Sequence, residues 1–285
     1  MKVTTAVIMA AGYGTRMLPV TASIPKVLLP ILNRPVVDYV VDDCIAAGIT
    51  NIIFVMNAGS RSLQDFYSEN PSLDAHLIHF NKTAPLNLMH RIRDKATFTF
   101  VEQSMDTYGT AIPVQLALPH IRPDEAFMVS EGDGFSWHED GTSEAKKLVD
   151  LFEKSGADGA VTGVEKPLDE IHKYGVFDIE KRDNFEFLKQ LVEKPDPGTE
   201  PSNVANISRY VLTPAVAEYV RDLKPNPKSG EYYLTDAVSS AAEKHKLVVH
   251  RATGNWMDAG STAGWLKANL AMAGTRPDLA KIAGQ

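Results

Sequence analysis

Two glycines and two cations lie close together near the start of the chain, in Ala10-Ala11-Gly12-Tyr13-Gly14-Thr15-Arg16-Met17-Leu18-Pro19 and the following Pro25-Lys26-Val27-Leu28-Leu29-Pro30. These residue types suit phosphate chemistry. Gly12 and Gly14 allow a tight turn and close backbone approach to a ligand. Exposed amides in such a loop can cradle phosphate oxygens. Arg16 adds a planar fork and Lys26 a compact point charge. The apolar run Thr5-Ala6-Val7-Ile8-Met9 precedes the loop and reads as a strand buried on both faces. Strand, loop and cations together predict a nucleoside triphosphate site at the carboxyl end of a first strand.

Two carboxylates stand at similar places further on. Asp133 follows the apolar run Ala126-Phe127-Met128-Val129-Ser130, within Glu131-Gly132-Asp133-Gly134. The end of a strand is where open α/β sheets bind ligands, although Gly-Asp-Gly also makes an ordinary turn. Asp258 lies in Trp256-Met257-Asp258-Ala259-Gly260, where it equally fits a cap or turn before Thr262. Glu193-Lys194-Pro195 reads either as a binding pair or as an exposed turn before a proline. Gln103, in Glu102-Gln103-Ser104, carries an amide able both to donate and to accept hydrogen bonds.

The elements that would position these residues follow from periodicity. Strands are predicted at 6–10, 51–57, 98–103 and 126–130, and helices at 36–47, 60–68, 111–118 and 143–155. Val37, Val40, Val41, Cys44 and Ala47 recur at helical spacing, with Gly48 at the expected C-terminal cap. This alternation implies βαβ units and a mostly parallel sheet. After Asp158 the texture changes to strands at 158–164, 175–179, 187–192 and 204–212 with short links, which predicts antiparallel pairs and a mixed sheet. Helices return at 214–223, 234–245 and 262–273.

Composition sets outer limits. The 285 residues are 44% hydrophobic and 23% charged, an ordinary balance for a soluble chain. No apolar stretch approaches the roughly 20 residues that span a bilayer. The N-terminus lacks the layout of a secretory signal, and Cys44, the single cysteine, can form no internal disulfide. A cytoplasmic location is expected. The net charge of −7 argues against a nucleic-acid partner but not against phosphate ligands, since local cations can oppose the global sign. The histidines show no metal-ligand spacing, and neither a G-x-S-x-G elbow nor a G-x-x-x-x-G-K-[ST] loop is present.

The glycine segment resembles the signature of sugar-nucleotide pyrophosphorylases: G-x-G-T-R, a short stretch, then P-K followed by leucines and a proline. The form here, G-Y-G-T-R-M-L-P-V-T-A-S-I-P-K, is most similar to the bacterial UTP–glucose-1-phosphate uridylyltransferase family. Further matching motifs follow in the family's order, and the resemblance runs over residues 3–272. It implies a Rossmann-like three-layer α/β/α fold with a mixed, mostly parallel central sheet. The expected domain is 1–273, with a mainly nucleotide-binding half at 1–157 and a mainly sugar-phosphate-binding half at 158–260. The tail 274–285 is expected to be less ordered or to pack on a neighbouring subunit.

The implied reaction joins UTP to glucose 1-phosphate, giving UDP-glucose and pyrophosphate. By resemblance, Ala11, Gly12, Gly14, Thr15, Arg16, Lys26, Gln103 and Gly109 bind the nucleotide. Gly175, Glu193, Lys194 and Asn206 bind the sugar phosphate. Asp133 and Asp258 hold one Mg²⁺, a cation that prefers hard carboxylate and phosphate oxygens. Arg16, Lys26 and Lys194 serve the transfer itself. The resemblance also implies a homodimer or homotetramer. Gly230-Glu231-Tyr232-Tyr233-Leu234-Thr235-Asp236 matches a family helix start, in which Thr235 also reads as a cap.

Three positions depart from the family pattern. Glu102 replaces an Arg, Thr110 replaces a His, and Asn206 stands where an apolar residue is usual. The first two bear on base selectivity. Asn206 signals an altered sugar preference or only local packing. The rival readings are therefore the same reaction with dTTP, CTP or an amino sugar phosphate, and, more remotely, a sugar-nucleotide sensor without catalysis.

Overall fold

The computed structural model describes residues 1–104 and 106–281. Its strands are β1 (Val3–Ala10), β2 (Pro30–Ile31), β3 (Arg34–Pro35), β4 (Asn51–Asn57), β5 (Thr97–Gln103), β6 (Ala126–Glu131), β7 (Gly134–Trp137), β8 (Gly159–Glu165), β9 (Gly175–Arg182), β10 (Phe185–Glu193), β11 (Val204–Leu212), β12 (Leu247–Arg251) and β13 (Asn255–Asp258). Its helices are α1 (Val36–Ala46), α2 (Ser62–Tyr67), α3 (Pro71–His79), α4 (Thr83–Arg93), α5 (Ile112–Ala117), α6 (Glu144–Ser155), α7 (Leu168–Ile171), α8 (Pro214–Arg221), α9 (Leu234–Ala242) and α10 (Thr262–Gly274).

Nine strands join in one sheet, in the order β5-β4-β1-β6-β11-β8-β12-β10-β9. From β5 to β6 the neighbours run parallel. Val7, Ile8 and Phe54 are fully buried, as a parallel sheet covered on both faces requires. Strand β11 enters antiparallel between β6 and β8, and β10 pairs antiparallel with both β12 and β9. The change of texture after Asp158 therefore marks where antiparallel pairing begins. Separate buried clusters pack the two faces. Val36, Val40 and Cys44 of α1 join Leu148 and Phe152 of α6 on one. Val114 of α5, Val216 of α8 and Val238 of α9 cover the other. The result is a three-layer α/β/α arrangement with a mixed sheet. Cys44 is core, and burial pushes its thiol up to about 12.

Several elements leave no periodic signal in the sequence. Helices α3 and α4 fill the interval between β4 and β5. A two-stranded ribbon, β7 with β13, stands apart from the main sheet. Residues 275–281 follow α10 as turns, and the rest of the expected tail, residues 282–285, lies outside the described residues.

Thr235 is not the cap that its type predicts. Tyr233 occupies the N-cap position of α9 with no side-chain bond, and the Thr235 hydroxyl is buried without a partner among the described residues. Thr110 supplies the cap from a distant segment, because its Oγ1 accepts the Leu234 amide at 2.9 Å. Backbone bonds from Tyr232 N to Tyr108 O and from Ala111 N to Tyr232 O tie the two segments side by side. Gly109 sits between them with φ +132°, where a Cβ would collide with the Tyr232 backbone. Thr110→Val should therefore lower stability by about 1 kcal/mol, the typical worth of a lost cap. Thr110→Ser should retain most of it, and urea unfolding of both variants measures the difference.

Candidate active site

The carboxyl ends of β1, β4 and β5 open onto a cleft of about 450 Å³. Ala11, Gly12, Gly14, Thr15, Arg16, Lys26 and Gln103 all line it, joined by Tyr13, Asn57, Ser104, Thr107, Tyr108 and Gly260. The glycine loop is held by local bonds. Gly14 has φ +62°, which favours glycine, and Thr21 Oγ1 donates to its carbonyl at 2.8 Å. Gly109 lies outside this lining and acts through the backbone packing described above. Glu102 is exposed on the edge strand β5, and the Thr110 hydroxyl is engaged at α9. Neither departure from the family pattern lines the cleft.

Lys26 lies in a single 3₁₀ turn, Lys26–Leu28. Its neighbour Val27 is buried against Gly132, where a Cβ would come within 2.9 Å of Val27 Cγ1 and 3.1 Å of the Met9 carbonyl. That close packing carries the lysine across to the end of β6, and Nζ meets Asp133 Oδ2 at 2.7 Å. Burial works against the Lys26 ammonium, but Asp133 and Glu131 outweigh it and the net shift is upward.

Asp258 comes from the far side of the sequence by way of the ribbon. In its register Asp258 faces Gly134 and Asn255 faces Trp137. The Ala259 amide donates to the Asp133 carbonyl at 2.9 Å. Asp258 Oδ1 accepts the Gly260 amide at 2.8 Å, and Ser261 rather than Asp258 caps α10. A Cβ on Gly260 would lie 2.5 Å from Asp133 Oδ2, 3.0 Å from Asp258 Oδ1 and 3.4 Å from Arg16 Nη2. Two carboxylates and a guanidinium thus surround one point that only glycine leaves open. Among the described residues no three metal-ligating side chains gather. Two carboxylate oxygens leave the remaining positions of a hard cation to phosphate oxygens and water, as Mg²⁺ sites commonly do.

A third carboxyl lies near these two without completing a set of metal ligands. Glu131 ends β6 two residues before Asp133, close enough to feel the charge of both Asp133 and Asp258. Its carboxyl is pushed up to about 7 by burial first and by Asp133 second, against the lowering effect of Ser208 and Lys26. The signal was a carboxylate ending an otherwise apolar strand, hidden by the turn-like glycines after it.

The sugar-side residues also converge. A Cβ on Gly175 would lie 3.0 Å from Glu193 Oε2 and 3.7 Å from Asn206 Cβ. Burial raises the Glu193 carboxyl, while Lys194 pulls it down. Lys194 has φ +46°, its amide donates to the Tyr174 carbonyl at 3.1 Å, and its ammonium is exposed 3.9 Å from Glu193 Oε1. Asn206 is occupied at both ends: Nδ2 donates to Tyr210 Oη at 2.6 Å and Oδ1 accepts the Ser208 amide at 3.1 Å. A larger groove of about 960 Å³ runs from Asp258 past Tyr174, between the ribbon and α10.

A glycine loop with two cations beside paired carboxylates, on a parallel sheet extended by antiparallel strands, defines a nucleotidyltransferase of the nucleotide-diphospho-sugar transferase fold. The chain belongs to the nucleotidyl transferase family, whose model matches residues 5–274. It is 34% identical to a UTP–glucose-1-phosphate uridylyltransferase of Pseudomonas aeruginosa over 91% of this chain and 92% of that one. It is 33% identical to the Bacillus subtilis enzyme of the same name over 95% and 91%. A UDP-glucose pyrophosphorylase solved with UDP-glucose superposes with a TM-score of 0.86 at 31% identity, covering 96% of this chain and 100% of that one. The UTP-bound enzyme of Acinetobacter baumannii gives 0.88 at 27%, covering 98% and 96%.

Gly260→Ala places a methyl group between the two carboxylates. It should lower kcat/KM at least about 100-fold, the scale expected when reacting groups move by about 1 Å. Steady-state kinetics with a far-UV circular dichroism spectrum as the folding control checks this.

Proposed function

We propose that this chain transfers a uridylyl group from UTP to glucose 1-phosphate, forming UDP-glucose and releasing pyrophosphate. The observation that carries the reading is the meeting of Arg16, Lys26, Asp133 and Asp258 around Gly260, in a chain with the relatives named above.

The reaction needs no covalent enzyme intermediate. A phosphate oxygen of the sugar 1-phosphate attacks the α-phosphorus of UTP. The bond from that phosphorus to the bridging oxygen breaks, and the electron pair leaves with pyrophosphate. The main obstacle is bringing two anions together, so positioning and charge neutralisation dominate. The Gly12–Thr15 amides and Arg16 hold the β- and γ-phosphates. Lys26 stabilises charge developing near the α-phosphate. Asp133 and Asp258 would hold Mg²⁺, which when bound neutralises charge on both phosphates. Lys194 holds the incoming phosphate, and its exposed ammonium suits an arriving ligand. Glu193 orients the hexose and Gly175 leaves room for it. Asn206 shapes the subsite wall through Tyr210 and Ser208.

The base contact falls to Gln103. Its Nε2 donates to the Thr107 carbonyl at 3.4 Å, while its buried Oε1 has no partner among the described residues. Gln103 lines the cleft, and a side-chain amide there can accept from the N3–H of uracil. The same reading includes a homo-oligomer, on the family resemblance alone, and a cytoplasmic location, on the sequence's single cysteine.

Pyrophosphate release with UTP, dTTP, CTP and ATP, each with glucose 1-phosphate and with amino sugar phosphates, tests the reading. Release with UTP and glucose 1-phosphate is expected. Preferred release with another pair would move the substrate, and binding without release across the panel would favour the sensor. Lys194→Ala should raise the KM for sugar phosphate about 10- to 100-fold, equivalent to the roughly 1.5–3 kcal/mol of a charged hydrogen bond. UTP binding should be unchanged, and an equal loss of it would remove Lys194 from the assigned role.

A further inference from the structure

The ribbon that brings Asp258 to Asp133 has an unusual weakness. It is four residue pairs long, and its strands come from segments more than a hundred residues apart. No hairpin turn sets its register. An isolated two-stranded pair is marginal by itself, and a slip of one residue turns each side chain to the opposite face. The register must be held from outside.

At the end near the carboxylates, the Ala259 amide closes the ribbon on Asp133. At the far end stands Glu144, the first residue of α6, with its carboxylate fully buried. His138 directly follows β7, and Thr253 and Gly254 directly precede β13. Glu144 binds all three. Its Oε2 lies 2.5 Å from His138 Nε2 and accepts the Gly254 amide at 3.0 Å. Its Oε1 lies 2.5 Å from Nε2 of His250, in β12, and accepts the Thr253 amide at 3.2 Å. Each oxygen thus takes one imidazole and one amide, which fills the carboxylate's acceptor sites. A Cβ on Gly254 would come within 2.5 Å of His138 Nε2, so the two strands' ends are packed as well as bonded.

We propose that Glu144 is a positioning residue that joins His138 to the Gly254 amide, sets the register of the β7–β13 ribbon, and so sets the separation of Asp133 and Asp258. The inference rests on the reading of those two aspartates as cation ligands. Glu144 is well suited to the task. Burial alone would raise its carboxyl, but the two imidazoles and two amides bring it down to about 2. Its place at a helix N-terminus also favours the charged form. The helix in turn is fixed to the body of the fold, because Ser143 Oγ donates to Asp43 at 2.5 Å and Arg209 Nη1 meets Asp43 at 2.6 Å.

The test compares Mn²⁺ binding to the full chain, followed by electron paramagnetic resonance, in wild type, Asp133→Asn, Glu144→Gln and His138→Ala. His138→Ala removes one arm and leaves the other three bonds, so it serves if Glu144→Gln does not fold. Both clamp variants should bind Mn²⁺ about tenfold or more weakly, the scale seen when partners that orient metal ligands are lost. The Mg²⁺ concentration for half-maximal pyrophosphate release should rise by the same factor. UTP binding without divalent cation should not change, since the glycine loop lies elsewhere. Folded variants that bind Mn²⁺ as wild type does, or that lose UTP binding equally, would overturn the positioning role alone. Wild-type Mn²⁺ binding that is indifferent to Asp133→Asn would overturn the cation-site reading and the inference with it.

Discussion

Two carboxylates pointed at one place are the constraint around which this molecule is organised. Like charges about 4 Å apart repel by roughly 4 kcal/mol near a protein surface, so Asp133 and Asp258 do not come together unless the fold makes them. Lys26 offsets the charge on Asp133 at 2.7 Å. Gly260 contributes by having no side chain where the carboxylates converge. Gly132 lets Val27 pack close to the ends of β1 and β6 and so delivers Lys26. Each of these is a local sequence choice whose reason lies in another segment.

The ribbon shows how far back the support extends. Phe135 in β7 is buried and stacks on Tyr39 of α1, with ring centroids 4.6 Å apart. Asp43, one turn further along α1, binds the N-terminus of α6 through Ser143 and the Ala145 amide. Arg209 of β11 neutralises Asp43 in a nearly closed setting, with 4% and 10% of the two side chains exposed. Removing either partner of such a pair leaves an uncompensated buried charge, which is strongly destabilising. The path from the sheet to the carboxylates therefore runs through α1, α6 and the ribbon.

Much of this was legible in the sequence, and the failures have physical causes. The β1 strand, its glycine loop and helix α1 were readable because apolar periodicity and turn chemistry are local. Helix α3 was missed although Asn70 caps it and Pro71 opens it, because it buries none of its residues and shows no apolar stripe. The β7–β13 ribbon escaped for the opposite reason: its strands are short, and each is stabilised by a partner that no local pattern reveals. Thr110 reads in the sequence as a departure bearing on base selectivity, whereas its hydroxyl caps a helix more than a hundred residues away. Glu131 was hidden by the glycines that follow it. Residue types were visible one at a time, but their meeting depends on topology.

Strand β11 shows why the second half needs antiparallel pairing. Its register on β8 shifts between Asn206 and Arg209, so the strand carries extra residues against β8. Ser208 takes φ +51° inside that bulge, a conformation costly for a non-glycine residue unless its surroundings hold it. Asn206 supplies the restraint by accepting the Ser208 amide while donating to the buried Tyr210 hydroxyl. On one side of the bulge, Asn206 stays beside Gly175 and Glu193 at the proposed sugar subsite. On the other, Arg209 turns to Asp43 and anchors the helix that bears Glu144. A regular strand alternates its side chains with period two and could not place these residues as the bulge does. One irregularity thus lets a single strand form a wall of the proposed sugar subsite and brace the ribbon that carries Asp258. An apolar residue at Asn206 would remove the restraint on Ser208, which gives the departure from the family pattern a structural cause that does not involve the sugar.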